Sequence, residues 1–263
     1  MLGTLITSTG ISHFTLNLKI KPESVTQRDL FLEEILGLPS YRVHEPLKLD
    51  ITQFAQTVSK CFLYAKTNCS NQAERSHLET LGFQVIETNV TLKQEIEYEC
   101  KIESHQNGRY EIRLASSNDR AKVEEIASKS FTLDRFHQDP KIDNSSADEI
   151  KKQWAGNFFS GKRGDVTVVA SKKNQPVAFL LLLFGQKENI IDLIAVDSKN
   201  RNNGLAKQMI NFAKSINGFP KNLLVGTQAS NIPSIRMYEK IGFKKINSQF
   251  VLHYHGPFKN VDS

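Results

Sequence analysis

The sequence predicts an α+β fold: a mixed, mostly antiparallel central sheet with flanking helices, preceded by a smaller α/β N-terminal domain. Three observations carry this. From about Gly108 onward, strand-like and helix-like stretches follow the order β-α-α-β-β-β-α-β-α-β. Three consecutive strand candidates, "DVTVVAS", "PVAFLLLLF" and "NIIDLIAV", are joined by the short polar turns "KKNQ" and "GQKE", which suit hairpins and so antiparallel pairing. The longest apolar run, Val177 to Gly185, fits a strand buried on both faces and falls short of the ~18–20 residues of a bilayer span.

The elements follow in order. "RYEIRLA" is a short strand, and "SSNDRAKVEEIASKSF" opens with Ser/Asp capping chemistry and carries Ala121, Val123, Ile126 and Ala127 at helical spacing. Ser145 to Phe159 is a second helix, with Ser146 three residues before Glu149 as a capping box. After the three strands, "AVDSKNRNNGLAKQMI" (Ala195 to Ile210) leads from a strand through a polar loop into a helix from about Leu205 to Ile216, ended by "NGFP". "NLLVGT" is a strand, "NIPSIRMYEKIGF" a capped helix and "SQFVLHYH" the final strand.

The polar turn "HQNGRYE" marks a boundary, giving domains 1–105 and 106–263. The two contain an internal echo. At a constant offset of 160, "TNCSNQAERSHLETLGF" (Thr67 to Phe83) and "TQASNIPSIRMYEKIGF" (Thr227 to Phe243) share Thr, Ser, Asn, Glu, Gly and Phe, and Leu92 falls on Leu252. We read a duplicated or truncated half-domain whose sheet packs beside that of the second copy. The polar loop occurs in the second copy alone, so ligand chemistry is expected there.

Composition narrows the function. The 263 residues carry 34 Lys and Arg against 28 Asp and Glu, a formal net charge of +6, which suits an anionic ligand. The basic residues are scattered without an aromatic-interleaved stripe, so no nucleic-acid partner is expected. "MLGTLITSTG" lacks the basic start and long apolar stretch of a signal peptide, and Cys61, Cys69 and Cys100 show neither disulfide nor metal-ligand spacing. These features predict a cytoplasmic chain with no membrane partner. His253 and His255 alternate on the final strand without a third suitably spaced ligand, and read as surface or acceptor-groove residues, with no metal.

A strand feeding a polar loop and a helix N-terminus gathers unpaired backbone N–H groups and the helix dipole in one place, an arrangement suited to a pyrophosphate. Gly204 permits close approach, the small Ala206 keeps the first turn open, and Arg201 and Lys207 add charge at the rim. By themselves such loops more often bind nothing. The motif is neither a Walker loop nor a three-glycine dinucleotide fingerprint.

In context the loop resembles the acetyl-CoA signature of the GCN5-related N-acetyltransferases (GNAT), Q/R-x-x-G-x-G/A, here Arg201-Asn-Asn-Gly204-Leu-Ala206. The second half of that signature is matched by Asn231, Tyr238, Gly242 and Phe243. Ser198 and Asn202 depart from the proline and glycine that the family often has there. The resemblance implies a GNAT fold, with the N-terminal domain a degenerate half. It implies acetyl-CoA as cosubstrate, with main-chain contacts from Ala195 and Val196. Amides of Arg201, Asn202, Asn203, Gly204, Leu205 and Ala206 would hold the pyrophosphate, so Asn202→Ala and Asn203→Ala are expected to cost little. Asn231 would contact pantetheine as well as capping its helix. Tyr238 is expected to be the general acid toward the departing thiolate, with core packing as its alternative role. Asp192 heads the candidates for general base, followed by Asp134, His137 and Asp139.

A narrower resemblance, to the TDP-fucosamine acetyltransferases, covers "SFTLDRFHQDPKID…KKQWAGNFFSGKRGDV" and the N-terminal "YAKTNCSNQAERSHLETLGFQVIE". It implies a small-molecule acceptor, a TDP-type sugar nucleotide with a primary amine, and assigns acceptor binding to Arg135, Phe136 and His137. Alternatives are an amino acid or peptide acceptor, or a non-catalytic acyl-CoA-binding module. Trp154 and Phe158, at i and i+4, read as core packing. Oligomeric state is left open, a homodimer included.

Overall fold

A computed structural model describes residues 25–52, 60–96, 109–216 and 222–256. The boundary residues 105–108, the opening "MLGTLITSTG", Cys100 and the helix-ending "NGFP" lie outside them. The strands are β1 (Thr26–Arg28), β2 (Ser40–Val43), β3 (Phe62–Asn68), β4 (Gln84–Gln94), β5 (Glu111–Leu114), β6 (Val166–Lys172), β7 (Gln175–Leu183), β8 (Glu188–Val196), β9 (Asn222–Gln228) and β10 (Lys244–His255). The helices are α1 (Leu30–Leu36), α2 (Gln72–Thr80), α3 (Arg120–Ser130), α4 (Asn144–Phe159), α5 (Leu205–Lys214) and α6 (Ile232–Lys240).

All ten described strands form one sheet in the order β1-β2-β3-β10-β4-β9-β8-β7-β6-β5. Only β2–β3 and β8–β9 are parallel among the described pairs, as the α+β class requires. The hairpin turns behave as expected: Lys173 and Asn174 take positive φ between the antiparallel β6 and β7. Strand β4 lies between β9 and β10, and β10 lies between β3 and β4. The two copies thus interleave within one sheet, rather than stacking side by side as the echo predicted. Gln249↔Asn68 across β10–β3 corresponds, at the 160-residue offset, to Asn89↔Gln228 across β4–β9. Loop bonds follow the same rule: the Cys69 amide donates to the Ser248 carbonyl and the Ala229 amide to the Thr88 carbonyl.

Helices cover both faces. Leu205, Met209, Ile210 and Ala213, one stripe of α5, pack with Leu180, Leu182 and Leu223. Val123, Ile126 and Ala127 of α3 pack with Val169, Phe179 and Leu181. Leu92 and Leu252 are both fully buried, as their shared position in the two copies suggests. Helix α3 begins after a capping box between Ser116 and Asp119. Helix α4 is capped by Asp143, which accepts from the Ser146 amide at 2.8 Å, so Ser146 is not the cap that the sequence suggested.

Candidate active site

β8 and β9 pair from Glu188↔Asn222 to Ile191↔Val225 and then separate, while β8 stays paired to β7 as far as Val196. The backbone edges that face each other beyond Ile191 have lost their partners and border a cavity of about 1020 Å³. At one end stands the polar loop. Asn200 anchors it by donating to Asp197 Oδ2 at 2.9 Å and accepting from the Tyr110 hydroxyl at 3.3 Å. Asn202, at φ +64°, and Gly204, at φ +69°, turn the chain into α5. Gly204 supplies no capping side chain, so the first-turn amides of α5 keep their hydrogen-bonding capacity, unlike those of α2 and α6, capped by Asn71 and Asn231.

Of the residues singled out from the sequence, Asp192, Ala195, Val196, Arg201, Asn202, Ala206, Asn231, Tyr238, Arg135 and Phe136 line this cavity. Asn203, Gly204, Leu205 and His137 are not among the lining residues. Leu205 is a buried core residue, and the Asn203 side chain donates to the Asn200 and Arg201 carbonyls, both at 3.0 Å. Asn203 therefore braces the loop, and two carbonyls would lose their donor on its truncation, a loss of which the sequence carried no sign. Asn231 accepts from the Ser234 amide at 3.3 Å through its side-chain oxygen, leaving its NH₂ for the cavity.

Tyr238 is 3 % exposed, its ring 5.4 Å from that of Phe243. Burial pushes its phenol well above the ordinary range, so the hydroxyl stays protonated and can donate.

The candidate bases fare differently. Asp192 accepts from Arg163 Nε at 2.7 Å, Arg163 NH2 at 2.8 Å and Trp154 Nε1 at 2.6 Å. Three donors already occupy its oxygens, which argues for a positioning role. His137 is held between Asp134 Oδ2 at 2.7 Å and Asp148 Oδ1 at 3.2 Å. It buttresses the loop and does not reach the cavity, contrary to its expected acceptor contact. Asp134 also accepts from the Phe136 amide.

Asp139 accepts from His253 Nδ1 at 2.6 Å and His255 Nε2 at 2.7 Å through a single oxygen. His253 is 1 % exposed, which corrects its reading as a surface or groove residue. The third ligand the sequence lacked is Asp139: the three could each offer one atom to a cation, within 4.8 Å of one another. The short N···O separations, however, are those of ring N–H groups donating to a carboxylate.

Several lining residues escaped the sequence reading. Trp154 borders the cavity, its ring within 4.4 Å of the Arg163 guanidinium. Ligand chemistry was expected in the second copy alone, yet Lys66 of β3 and Glu87, Asn89 and Thr91 of β4 also line the cavity, because β4 is inserted beside β9. With them stand the Arg135 guanidinium, 4.1 Å from the centre of the Tyr64 ring, and the buried Lys151, whose Nζ lies 3.6 Å from Asp134. Surrounding protein, aided by Arg135, pushes the Lys66 ammonium down to about 8. An isolated charge among apolar residues in "FLYAKTN" was the available signal.

Residues 122–243, a little under half of the chain, match the acetyltransferase (GNAT) family model. The sheet with its splayed central strands is the GNAT fold. A crystal structure of a GCN5-related N-acetyltransferase from Sphaerobacter thermophilus superposes with a TM-score of 0.54 at 11 % identity, covering 90 % of this chain and 78 % of that one. A tandem GNAT protein from the clavulanic acid biosynthesis pathway gives a TM-score of 0.54 at 9 % identity, over 83 % and 76 % of the two chains. The spore coat polysaccharide biosynthesis protein SpsD of Bacillus subtilis (strain 168) is 29 % identical over 146 residues, 55 % of this chain. The chain spans about half, 50 %, of that relative's length.

Proposed function

We propose that this chain is an acetyl-CoA-dependent N-acetyltransferase that acetylates the amine of a nucleotide-linked, TDP-type amino-deoxysugar. The observation that carries the reading is the cavity's polarity. It runs from the uncapped N-terminus of α5, past the splayed edges of β8 and β9, to the cations Lys66, Arg135 and Lys151. The first end suits a pyrophosphate, the middle suits an extended amide-bearing arm, and the far end suits an anionic acceptor. The name of the Bacillus subtilis relative supports a sugar acceptor.

In this reading the amides of Arg201 to Ala206 hold the CoA pyrophosphate. Ala195 and Val196 offer main-chain groups to pantetheine and the thioester, with Asn231 beside them. The amine attacks the thioester carbon, and Tyr238 donates to the sulfur as the C–S bond breaks. Arg135 and Phe136 contact the acceptor. Asp192 fixes Trp154 and Arg163 along one wall.

Thiol release from acetyl-CoA is measured against TDP- and UDP-linked amino sugars, amino acids and peptides. Turnover with TDP-linked amino sugars is the expected result. Turnover with peptides or amino acids alone overturns the sugar reading, and absence of acetyl-CoA binding by calorimetry overturns the transferase reading.

A further inference from the structure

We propose that Glu87, a residue of β4 in the first copy, is the base that takes the proton from the attacking amine. This rests on the transferase reading above. Among the described residues, the carboxylates that line the cavity are Glu87, Asp134 and Asp192, and no histidine lines it. Asp192 is occupied by Arg163 and Trp154, and Asp134 by His137, Lys151 and the Phe136 amide. Glu87 differs: its Oε2 is buried and has no hydrogen-bond partner. A buried carboxylate oxygen without a donor is costly in an inert wall and is suited to a proton-bearing ligand.

Register explains why it faces the cavity. Glu87, Asn89 and Thr91 alternate along one face of β4, and all three line the cavity. Glu87 and Lys66 both pair with Val251 from opposite sides, so they share one row of the sheet. Burial raises the Glu87 carboxyl, against the pull of Arg135 and the two lysines, which brings it toward the range of a useful base.

The step balances. The acceptor ammonium gives one proton to Glu87, and the freed amine forms the C–N bond as the C–S bond breaks. The second proton lost from nitrogen ends on the CoA sulfur, relayed through Tyr238 or water. Neutral Glu87 then returns its proton to solvent.

The test uses the full chain, acetyl-CoA and the panel amine that gives the highest turnover. Glu87→Gln is expected to lower kcat by ~10²–10⁴-fold near neutral pH with acetyl-CoA affinity by calorimetry unchanged. The deficit should shrink as pH rises and solution supplies free amine, and Glu87→Asp should recover part of the rate. An infrared difference between wild type and Glu87→Gln is expected to show a carboxyl titrating above the ordinary glutamate range. A wild-type rate in Glu87→Gln, a deficit constant across pH, or an ordinary titration overturns the assignment. A wild type that binds no acetyl-CoA instead removes the transferase reading, and the base with it.

Discussion

Gln249 of β10 pairs with Asn89 of β4, and the 160-residue offset between the two copies carries one onto the other. The pair therefore sits on the axis of internal symmetry. Around it, Ser248↔Val90 and Phe250↔Thr88 exchange in the same way. Each copy lends its last strand to the sheet of the other, which is why one cavity draws residues from both.

A fragment of residues 106–263 would lose β3 and β4, the described neighbours of β10, and leave the edge of β9 bare. Exposed strand edges of this length associate. Size-exclusion chromatography is expected to show aggregates or dimers; a soluble monomer would contradict the interleaved sheet.

The loop carries a second prediction. Gly204→Val places a β-branched residue at φ +69°, a strain of about 1–3 kcal/mol, although a Cβ there meets only Gln208 Nε2 at 3.8 Å. The Michaelis constant for acetyl-CoA should rise roughly tenfold, because the amides are re-aimed. Asn202→Gly should be silent, since glycine accepts positive φ. Asn203→Ala should resemble Gly204→Val more than Asn202→Gly, because two carbonyls lose their donor.

Tyr238→Phe keeps the ring against Phe243 and removes only the hydroxyl. A kcat reduced by about 10²-fold, with acetyl-CoA affinity unaltered, is expected from single-turnover kinetics and calorimetry. Equal rates would leave Tyr238 as a packing residue.

Asp192→Asn tests positioning against base chemistry. The partly exposed Arg163 can rehydrate, so the loss should be modest, about 1–2 kcal/mol by thermal denaturation. The pH profile of kcat should keep its shape while the acceptor's KM rises, as Trp154 loosens. Loss of the acidic limb of that profile, which reports deprotonation of the base, would return the base role to Asp192.

The His253 imidazole is pushed down from 6.5 to about 4 by burial, despite its bond to Asp139. Between those values the unfolded chain binds a proton that the folded chain does not. Stability present above pH 6.5 is therefore lost as pH falls toward 4, on the order of 3 kcal/mol. Burial pushes the Asp139 carboxyl up, but both imidazoles together hold it well below the usual range, so its own loss comes at more acidic pH. Thermal midpoints across this range should fall for the wild type and flatten for His253→Asn, whose amide replaces the Nδ1 donor without titrating.

The features that were legible in the sequence are local ones. Hairpin turns, the α5 stripe and the loop around Gly204 depend on neighbours within a few residues, and the 160-residue echo needs only alignment. The remainder depends on strand partners. Nothing near Glu87 or Lys66 announces that β4 lies beside β9. His253 meets Asp139 across 114 residues, and Trp154 meets Asp192 across 38. An i, i+4 aromatic pair correctly suggests an apolar face, but cannot show which indole N–H finds a carboxylate.

The interleaved sheet also bears on synthesis. β4 ends at Gln94 and β10 begins only at Lys244, so a ribosome releases β3 and β4 long before the strand that joins them. Until then β3 has one open edge and β4 has two, and closure waits for a contact between distant parts of the chain. The cavity wall formed by Glu87 and Lys66 is consequently among the last parts of the molecule to be set, and translation must bring the second copy out before the first is finished.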